Sequence, residues 1–279
     1  MKEKIIISRR QALRHIFSAT GCMVVSPSLM SFYNQLTDPS GKSSPVPDKF
    51  FIERIREALK AVDKLPAVPS GTYKRNYEIY SLLLAGKPLH KGSILLNLSG
   101  DTLSIEVRRL GASPEKYSQF IFITQKVRRD ALLSPINWSY KSYLAQTVNG
   151  SPYRTPLEGK GAYDGKEMIV ISEGAATRKY HTRLHTTMNW NLLPAINGIA
   201  KNVMPVEIGV IDAYDLYAGK RKIQPFETDT IESNGKTTTL HSLVMTGQSV
   251  LPTFFWLDET GIPLFVNSGT EVYILNGEY

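Results

Sequence analysis

The chain has 279 residues, and its 33 lysines and arginines against 25 aspartates and glutamates give a net charge of +8 at pH 7. The first 36 residues contain five of the basic residues and one of the acidic ones, so the remainder has 28 against 24, or +4. This balance gives no support for a nucleic-acid groove, and we expect no nucleic-acid partner. The single cysteine is Cys22, so the later residues can form no disulfide, thiolate metal site or cysteine nucleophile.

Residues 1–36 have the pattern of an export signal. Arg9 and Arg10 stand in the segment SRRQALR, and apolar residues diluted by polar ones follow. Paired arginines at this position predict the twin-arginine export machinery as a partner, a route for proteins that are already folded. We therefore expect an exported protein, periplasmic or envelope-associated. No later apolar run approaches the ~20 residues of a membrane span, so we expect no span beyond an uncut signal.

Cys22 leaves two interpretations open. Small residues precede it in the segment ATGC, as they do before a lipid-modified cysteine, and modification would make the protein a lipoprotein. However, Ala19 stands where a larger aliphatic residue is usual. The alternative is a signal that is cut further on or left uncut as an anchor.

Residues 37–47 are rich in Pro, Ser and Gly and are typical of a flexible linker. Asp48 then provides an N-cap, and apolar residues recur three or four apart as far as Pro66. This spacing predicts an amphipathic helix over residues 48–66, packed on the main domain.

Residues 70–279 predict a single β-rich domain, because short alternating runs are separated by turn signals. The run Ser118–Val127, for example, places Phe120, Phe122 and Thr124 on one face and two isoleucines on the other. Hairpin turns are expected at residues 164–165 (DG) and 234–235 (NG). Residues 149–161 contain two prolines and predict a long loop.

One short helix is predicted inside this domain, over Asn189–Ala200. Its apolar residues lie on one side, and Pro194 falls near its first turn, where proline is compatible with a helix start. About a dozen strands with this insertion predict an all-β domain, mainly antiparallel. A strongly curved sheet, a barrel-like arrangement and a sandwich remain open at this point.

Several segments resemble a family of exported bacterial proteins that is catalogued as a domain of unknown function. They are TGQSVLP (246–252), WLDETG (256–261), LFV (264–266), SGT (268–270), NWNLL (189–193) and SPINW (134–138). The resemblance covers most of residues 73–275. It implies a β-rich extracytoplasmic domain and carries no activity with it. In strand pattern alone, the chain is also similar to periplasmic curved-sheet proteins that hold lipids or apolar ligands.

Two histidines form the candidate metal site. His181 and His185 are four residues apart and fall on one face of a helix or a strand. Two imidazoles can begin a zinc or iron site that needs a third ligand, such as a carboxylate. Arg178, Lys179 and Arg183 surround them and would oppose a cation, so a solvated basic strand is the favoured interpretation.

Asp212 and Asp215 are the candidate catalytic pair. Two carboxylates can act as general acid and base on a glycoside if their environments separate their pKa values. The same spacing is also typical of a tight turn between strands, which we favour.

Three tryptophans are candidates for ligand binding, because aromatic faces bind sugar rings and apolar groups. They are Trp138, Trp190 and Trp256. For Trp138 and Trp256 the favoured alternative is a place in the core, whereas Trp190 opens the inserted helix, where a lid or rim is an option.

No nucleophile elbow, phosphate loop or dinucleotide fingerprint occurs, and no cofactor is identified. We therefore expect a non-enzymatic exported β-domain that binds an apolar or glycan-like ligand, lipid or protein partner of the envelope. The alternative is a carbohydrate-active or metal-assisted hydrolase that uses His181, His185 and one of Asp212 and Asp215.

Overall fold

The computed structural model describes residues 53–59, 73–81, 88–110, 117–148, 151–166, 168–173, 176–200, 205–212, 217–233, 236–248, 251–268 and 271–276. Helix α1 covers residues 53–59, and a 3-10 turn (Asn189–Asn191) leads into helix α2 (Leu192–Ala200). The strands are β1 (Tyr73–Ser81), β2 (Leu89–Ser99), β3 (Thr102–Leu110), β4 (Tyr117–Val127), β5 (Pro135–Val148), β6 (Ser151–Tyr163), β7 (Met168–Glu173), β8 (Ala176–His181), β9 (Thr186–Met188), β10 (Val206–Asp212), β11 (Tyr217–Ser233), β12 (Lys236–Gly247), β13 (Thr253–Leu257), β14 (Pro263–Ser268) and β15 (Glu271–Asn276).

All of these strands belong to one 15-stranded sheet. Strands that follow each other in the chain are neighbours from β1 to β8 and from β9 to β15, and β1 pairs with β15. Every pairing is antiparallel except that of β9 with β10. The predicted all-β, mainly antiparallel class is confirmed. Since the strands form one continuous sheet, the sandwich alternative is wrong.

The sheet must curl back on itself. Its two edge strands, β8 and β9, are consecutive in the chain and are joined by residues 182–185. Laid flat, fifteen strands would separate the edges by roughly 67 Å, but the five Cα steps from His181 to Thr186 reach at most about 19 Å.

The curled sheet is nevertheless not closed into a barrel. No pairing joins β8 to β9 among the described strands. β9 is only three residues long, lies against β5 and continues at once into the 3-10 turn. It therefore turns to the inside of the sheet instead of running along β8.

The two faces of strands β2 to β7 differ in polarity. One face carries fully buried apolar side chains on strand after strand, for example Ile94, Leu96, Ile105, Ile123 and Ile171. The alternate positions of β2 to β7 are mostly half-buried or exposed. We call the apolar face the inner face and the other the outer face. Burial of the inner face is the main source of stability for this domain.

The 3-10 turn and α2 fill the space that the inner face encloses. The side chains of Asn191, Leu192, Leu193 and Ile196 are all at most 3% exposed, and a helix buried on nearly every side belongs to a core. Gly261, in the turn after β13, approaches the side chain of Asn197 so closely that a Cβ there would collide with it. The inserted helix was predicted over the same residues and is confirmed.

A buried pair of amides fixes this insertion to the sheet. The Gln125 side chain donates to Asn191 Oδ1 at 2.6 Å, and Asn191 Nδ2 donates to Gln125 Oε1 at 3.0 Å and to the Leu133 carbonyl at 2.8 Å. Both side chains are at most 1% exposed, so neither has water as an alternative partner.

Helix α1 lies within the part of the chain that includes the sheet. Ile55 and Ala58, three residues apart on one helix face, are buried, and Arg54 interacts electrostatically with Tyr80 and Glu78 of β1. These residues are helical as predicted for 48–66, and residues 48–52 and 60–66 lie outside the described residues. Among the described helices, none is long and apolar enough to cross a membrane.

The predicted loop at 149–161 is wrong, because most of it forms strand β6. Pro152 and Pro156 pair with β5, whereas β7 joins β6 only from Gly159 onward. Proline has no N–H to donate to a neighbouring strand, so it is tolerated where a strand has no neighbour on one side. Both prolines therefore occupy a stretch where β6 has only β5 beside it in the described pairing.

The amide pair gives a first prediction. Asn191→Ala leaves both polar groups of the buried Gln125 amide and the Leu133 carbonyl without their partner, so we expect the free energy of unfolding to fall by about 2–4 kcal/mol. The matched control is Asn97→Ala, at an exposed position of β2, which should change it by less than ~0.5 kcal/mol. Urea unfolding measures both, and equal losses would contradict the role of the pair.

Tyr77 gives a second prediction, on alkaline stability. Burial raises the pKa of Tyr77 to about 12, although the positive charge of Arg75 acts in the opposite direction. The unfolded chain therefore releases this proton near pH 10 and the folded chain near pH 12, so stability is intact below pH 10 and falls between these values. The loss from this one group is about 2–3 kcal/mol.

Tyr77→Phe should remove that part of the pH dependence. The Tyr77 hydroxyl forms no hydrogen bond of normal geometry with the described residues, although the side chain of Arg75 is close enough to act on it. We therefore expect the variant to lose little stability at pH 7. Denaturant unfolding at a series of pH values from 7 to 12 measures the difference. Parallel pH profiles for the two proteins would show that the phenol is not held neutral by burial.

Candidate functional site

An open groove of about 550 Å³ lies on strands β4 to β7. Most of the side chains that line it alternate with buried inner-face residues such as Ile123, Tyr140 and Ile171, so the groove belongs to the outer face. We call it the outer groove. Its lining residues are Phe122, Thr124, Ser139, Tyr140, Lys141, Glu158, Gly159, Lys160 and Ser172.

A row of polar side chains crosses the five strands β4 to β8, and four of its members line the outer groove. The strand register places Thr124 opposite Ser139, Ser139 opposite Lys160, Lys160 opposite Ser172 and Ser172 opposite Thr177. The hydroxyls of Ser172 and Thr177 lie 3.1 Å apart, in hydrogen-bond contact. Adjacent members stand about 4.8 Å apart, the spacing of neighbouring strands. We call this set the hydroxyl row.

An aromatic cluster borders the hydroxyl row. The Phe120 and Tyr143 rings are stacked with centroids 5.2 Å apart, and Phe122 lies 5.9 Å from Tyr143. All three side chains are half-buried. Phe122 is also part of the groove wall, so one aromatic ring faces the space that the hydroxyls and the lysines enclose.

The charges of the groove are unevenly paired. Lys141 Nζ lies 2.6 Å from Glu158 Oε1, with both side chains more than half exposed, and this hydrogen bond raises the pKa of Lys141. Such an exposed pair adds little stability. Lys160 is exposed, and no described carboxylate lies within ion-pair distance of it. Lys160 therefore keeps its positive charge uncompensated at the centre of the hydroxyl row.

This combination suits a polyhydroxylated ligand. Serine and threonine hydroxyls can donate to and accept from sugar hydroxyls, lysine donates to oxygen acceptors, and the apolar face of a sugar ring packs on an aromatic side chain. The groove is open instead of enclosed, so it could surround only a small part of a long apolar ligand.

The two histidines of the predicted metal site are both exposed, and His181 ends β8. The His185 carbonyl accepts from the Gly209 amide at 2.9 Å, which places His185 beside β10. Within the described ranges, no group of three or more His, Cys, Asp or Glu side chains is arranged to hold a metal ion.

The predicted catalytic aspartates stand at the end of β10. The Asp212 carboxylate accepts from Asn189 Nδ2 at 2.9 Å, which ties β10 to the 3-10 turn. His185 lies beside Gly209, three residues and about 10 Å along the strand from Asp212. Asp215 lies outside the described residues.

The three tryptophans lie at separate places. Trp138 is 3% exposed and covers Gly161, where a Cβ would collide with its ring. Trp190 is 8% exposed and packs on Tyr273, with ring centroids 5.7 Å apart. Both therefore belong to the core of the curled sheet. Trp256 is half-buried on the outer face, between Phe254 and Phe265.

An ionic cluster on the inner side involves Trp190 as well. Arg109 of β3 forms two 3.1 Å contacts with the Glu271 carboxylate of β15 and lies 5.7 Å above the Trp190 ring. The Tyr273 hydroxyl donates to the same carboxylate at 3.1 Å. Burial, together with the charge of Glu271, holds the pKa of Tyr273 above its usual range. The cluster clamps β3 to β15 across the two strands between them.

The residues of the outer groove were not predicted as a site. The sequence placed Phe120, Phe122 and Thr124 on one face of β4, but it gave no indication that Lys160 and Ser172 stand beside them. The signal residues Arg9, Arg10 and Cys22 lie outside the described residues.

Several solved structures are similar to this chain. A crystal structure described as a β-barrel-like protein of a domain of unknown function, DUF1849, from Brucella abortus matches with a TM-score of 0.47 and 10% identity. The match covers 75% of this chain and 97% of that one. No family model matches the chain, and no curated protein matches it.

Proposed function

We propose that this protein is a non-enzymatic glycan-binding protein of the cell envelope, and that its binding site is the outer groove. The observation that carries the proposal is the coincidence of the hydroxyl row with the aromatic cluster. Phe122 of the aromatic cluster lines the same groove as Thr124, Ser139, Lys160 and Ser172 of the hydroxyl row.

The filled interior supports a glycan over an apolar ligand. A curved sheet that holds a lipid needs an open apolar cavity, but α2 and the 3-10 turn occupy the enclosed space here. The outer groove instead offers hydroxyls, ammonium groups and one aromatic face.

The direction of the hydroxyl row supports an extended chain as ligand. The row crosses the strands at right angles, with one polar side chain about every 4.8 Å. This interval is close to the length of one sugar ring, so successive rings of an oligosaccharide can meet successive side chains of the row.

The export signal supports an envelope location. Arg9 and Arg10 predict twin-arginine export, and a folded β-domain delivered by this route would meet the polysaccharides of the envelope. This part of the proposal depends on the sequence alone.

A third prediction tests the site itself. Purified protein is first screened against an array of neutral and acidic oligosaccharides, and the tightest-binding one is then titrated by calorimetry. Phe122→Ala removes the aromatic face, so we expect its Kd to rise about tenfold.

The matched control is Phe226→Ala, which removes an outer-face ring that contacts Phe254 on other strands. It should bind as the parent does. The proposal is refuted if no oligosaccharide binds the parent protein, or if the Phe122 variant binds as tightly as the control.

A further inference from the structure

Two lysines, one in the hydroxyl row and one beside it, carry charges that no described carboxylate neutralises. Lys160 lies at the centre of the row, and Lys179 stands on β8, two residues along the strand from Thr177. Both side chains are exposed. By contrast, Lys141 is paired with Glu158 at 2.6 Å, and Lys126 lies 3.7 Å from Asp101.

The two free ammonium groups lie on the same face of the sheet. The register pairs Ala162 with Val170 and Val170 with Lys179, which puts Lys179 in the row beside that of Lys160. Two strand spacings and two residues separate the lysines, so their Cα atoms are about 12 Å apart. This distance is close to the length of two sugar rings.

We propose that the outer groove, together with the neighbouring surface of β8, binds an acidic glycan, a chain containing uronic acid residues, and that Lys160 in the groove and Lys179 beside it each hold one carboxylate. This inference rests on the proposed glycan-binding function and adds the charge class of the ligand. A planar carboxylate can accept from the Lys160 ammonium with one oxygen and from the hydroxyl of Ser139 or Ser172 with the other. A neutral glycan would leave the charge of Lys160 without a partner.

The polar row and the charge therefore have separate tasks. The hydroxyls and Phe122 bind sugar rings whatever their charge, while the lysines select rings that carry a carboxylate. Because both ammonium groups are exposed, salt screens the attraction over about 8–10 Å, so binding of the acidic glycan weakens as ionic strength rises.

The experiment compares two ligands that differ in charge alone. A hexameric oligogalacturonate and the neutral oligosaccharide obtained by reducing its carboxylates to alcohols are titrated into the full chain. The proteins are the parent, Lys160→Gln, the double variant Lys160→Gln/Lys179→Gln and Lys222→Gln. Lys222 is an exposed lysine of β11, outside the groove, and it controls for net charge.

We expect the parent to bind the oligogalacturonate more tightly than the neutral sugar. Lys160→Gln should raise the Kd for the acidic ligand about fivefold and the double variant about twentyfold. Both variants should raise the Kd for the neutral ligand much less than the Kd for the acidic one, because glutamine keeps an N–H donor and loses only the charge. Lys222→Gln should change neither Kd.

The inference is overturned if the neutral ligand binds as tightly as the acidic one, or if Lys222→Gln weakens binding as much as Lys160→Gln does. In either case, loss of sugar binding in Phe122→Ala would leave the proposed glycan-binding function standing. If the array detects no glycan at all, the proposed function fails and this inference fails with it.

Discussion

The link of residues 182–185 is the constraint on which the rest of the structure depends. It joins the two edge strands of a 15-stranded sheet, and a link this short cannot span a flat sheet of that width. The sheet therefore curls, and curling creates an enclosed space that must be filled, because an empty core forfeits packing and burial. The chain fills the space with the residues that directly follow β9, the 3-10 turn and α2. The same short segment thus brings the edges together and delivers the helix to the inside.

The insertion is held by polar contacts at its start and by apolar packing along its length. Asn191 bonds to Gln125 and Leu133, and Asn189 bonds to Asp212. Buried amides are costly unless each polar group is satisfied, so these bonds permit few alternative positions of the helix. The apolar residues of α2 are stabilised by burial, but the hydrophobic effect is non-directional and does not select one position of the helix. The amides therefore define where the helix sits, and the leucines and isoleucines provide most of its stability.

Local patterns in the sequence were sufficient to predict the fold class and the turn after β6, whereas the predicted turn at residues 234–235 lies outside the described residues. Alternation in β4 and the turn signal at Asp164 and Gly165 were correct, since Gly165 adopts a φ of 84° and Asp164 accepts from the Lys166 amide at 2.8 Å. The two prolines of β6 led to the wrong prediction of a loop. The sequence does not show that β7 pairs with β6 only from Gly159 onward, which in the described pairing leaves both prolines on an unpaired side of the strand. Trp256 and Trp190 show the same limit. A place in the core was favoured for Trp256, which is half-buried on the outer face, whereas a lid or rim was an option for Trp190, which is 8% exposed and packs in the core. Trp138 is in the core, as favoured.

The outer groove was beyond sequence analysis for a related reason. Thr124 and Lys160 are 36 residues apart in the chain, and β5 brings them to the same row only through its register with β4 and β6. Register depends on how each strand buries its inner face, since a slip by one residue would expose the apolar side chains. The burial of the inner face therefore also determines which polar residues lie opposite each other on the outer face. In this way the packing of the core positions the hydroxyl row and its lysines.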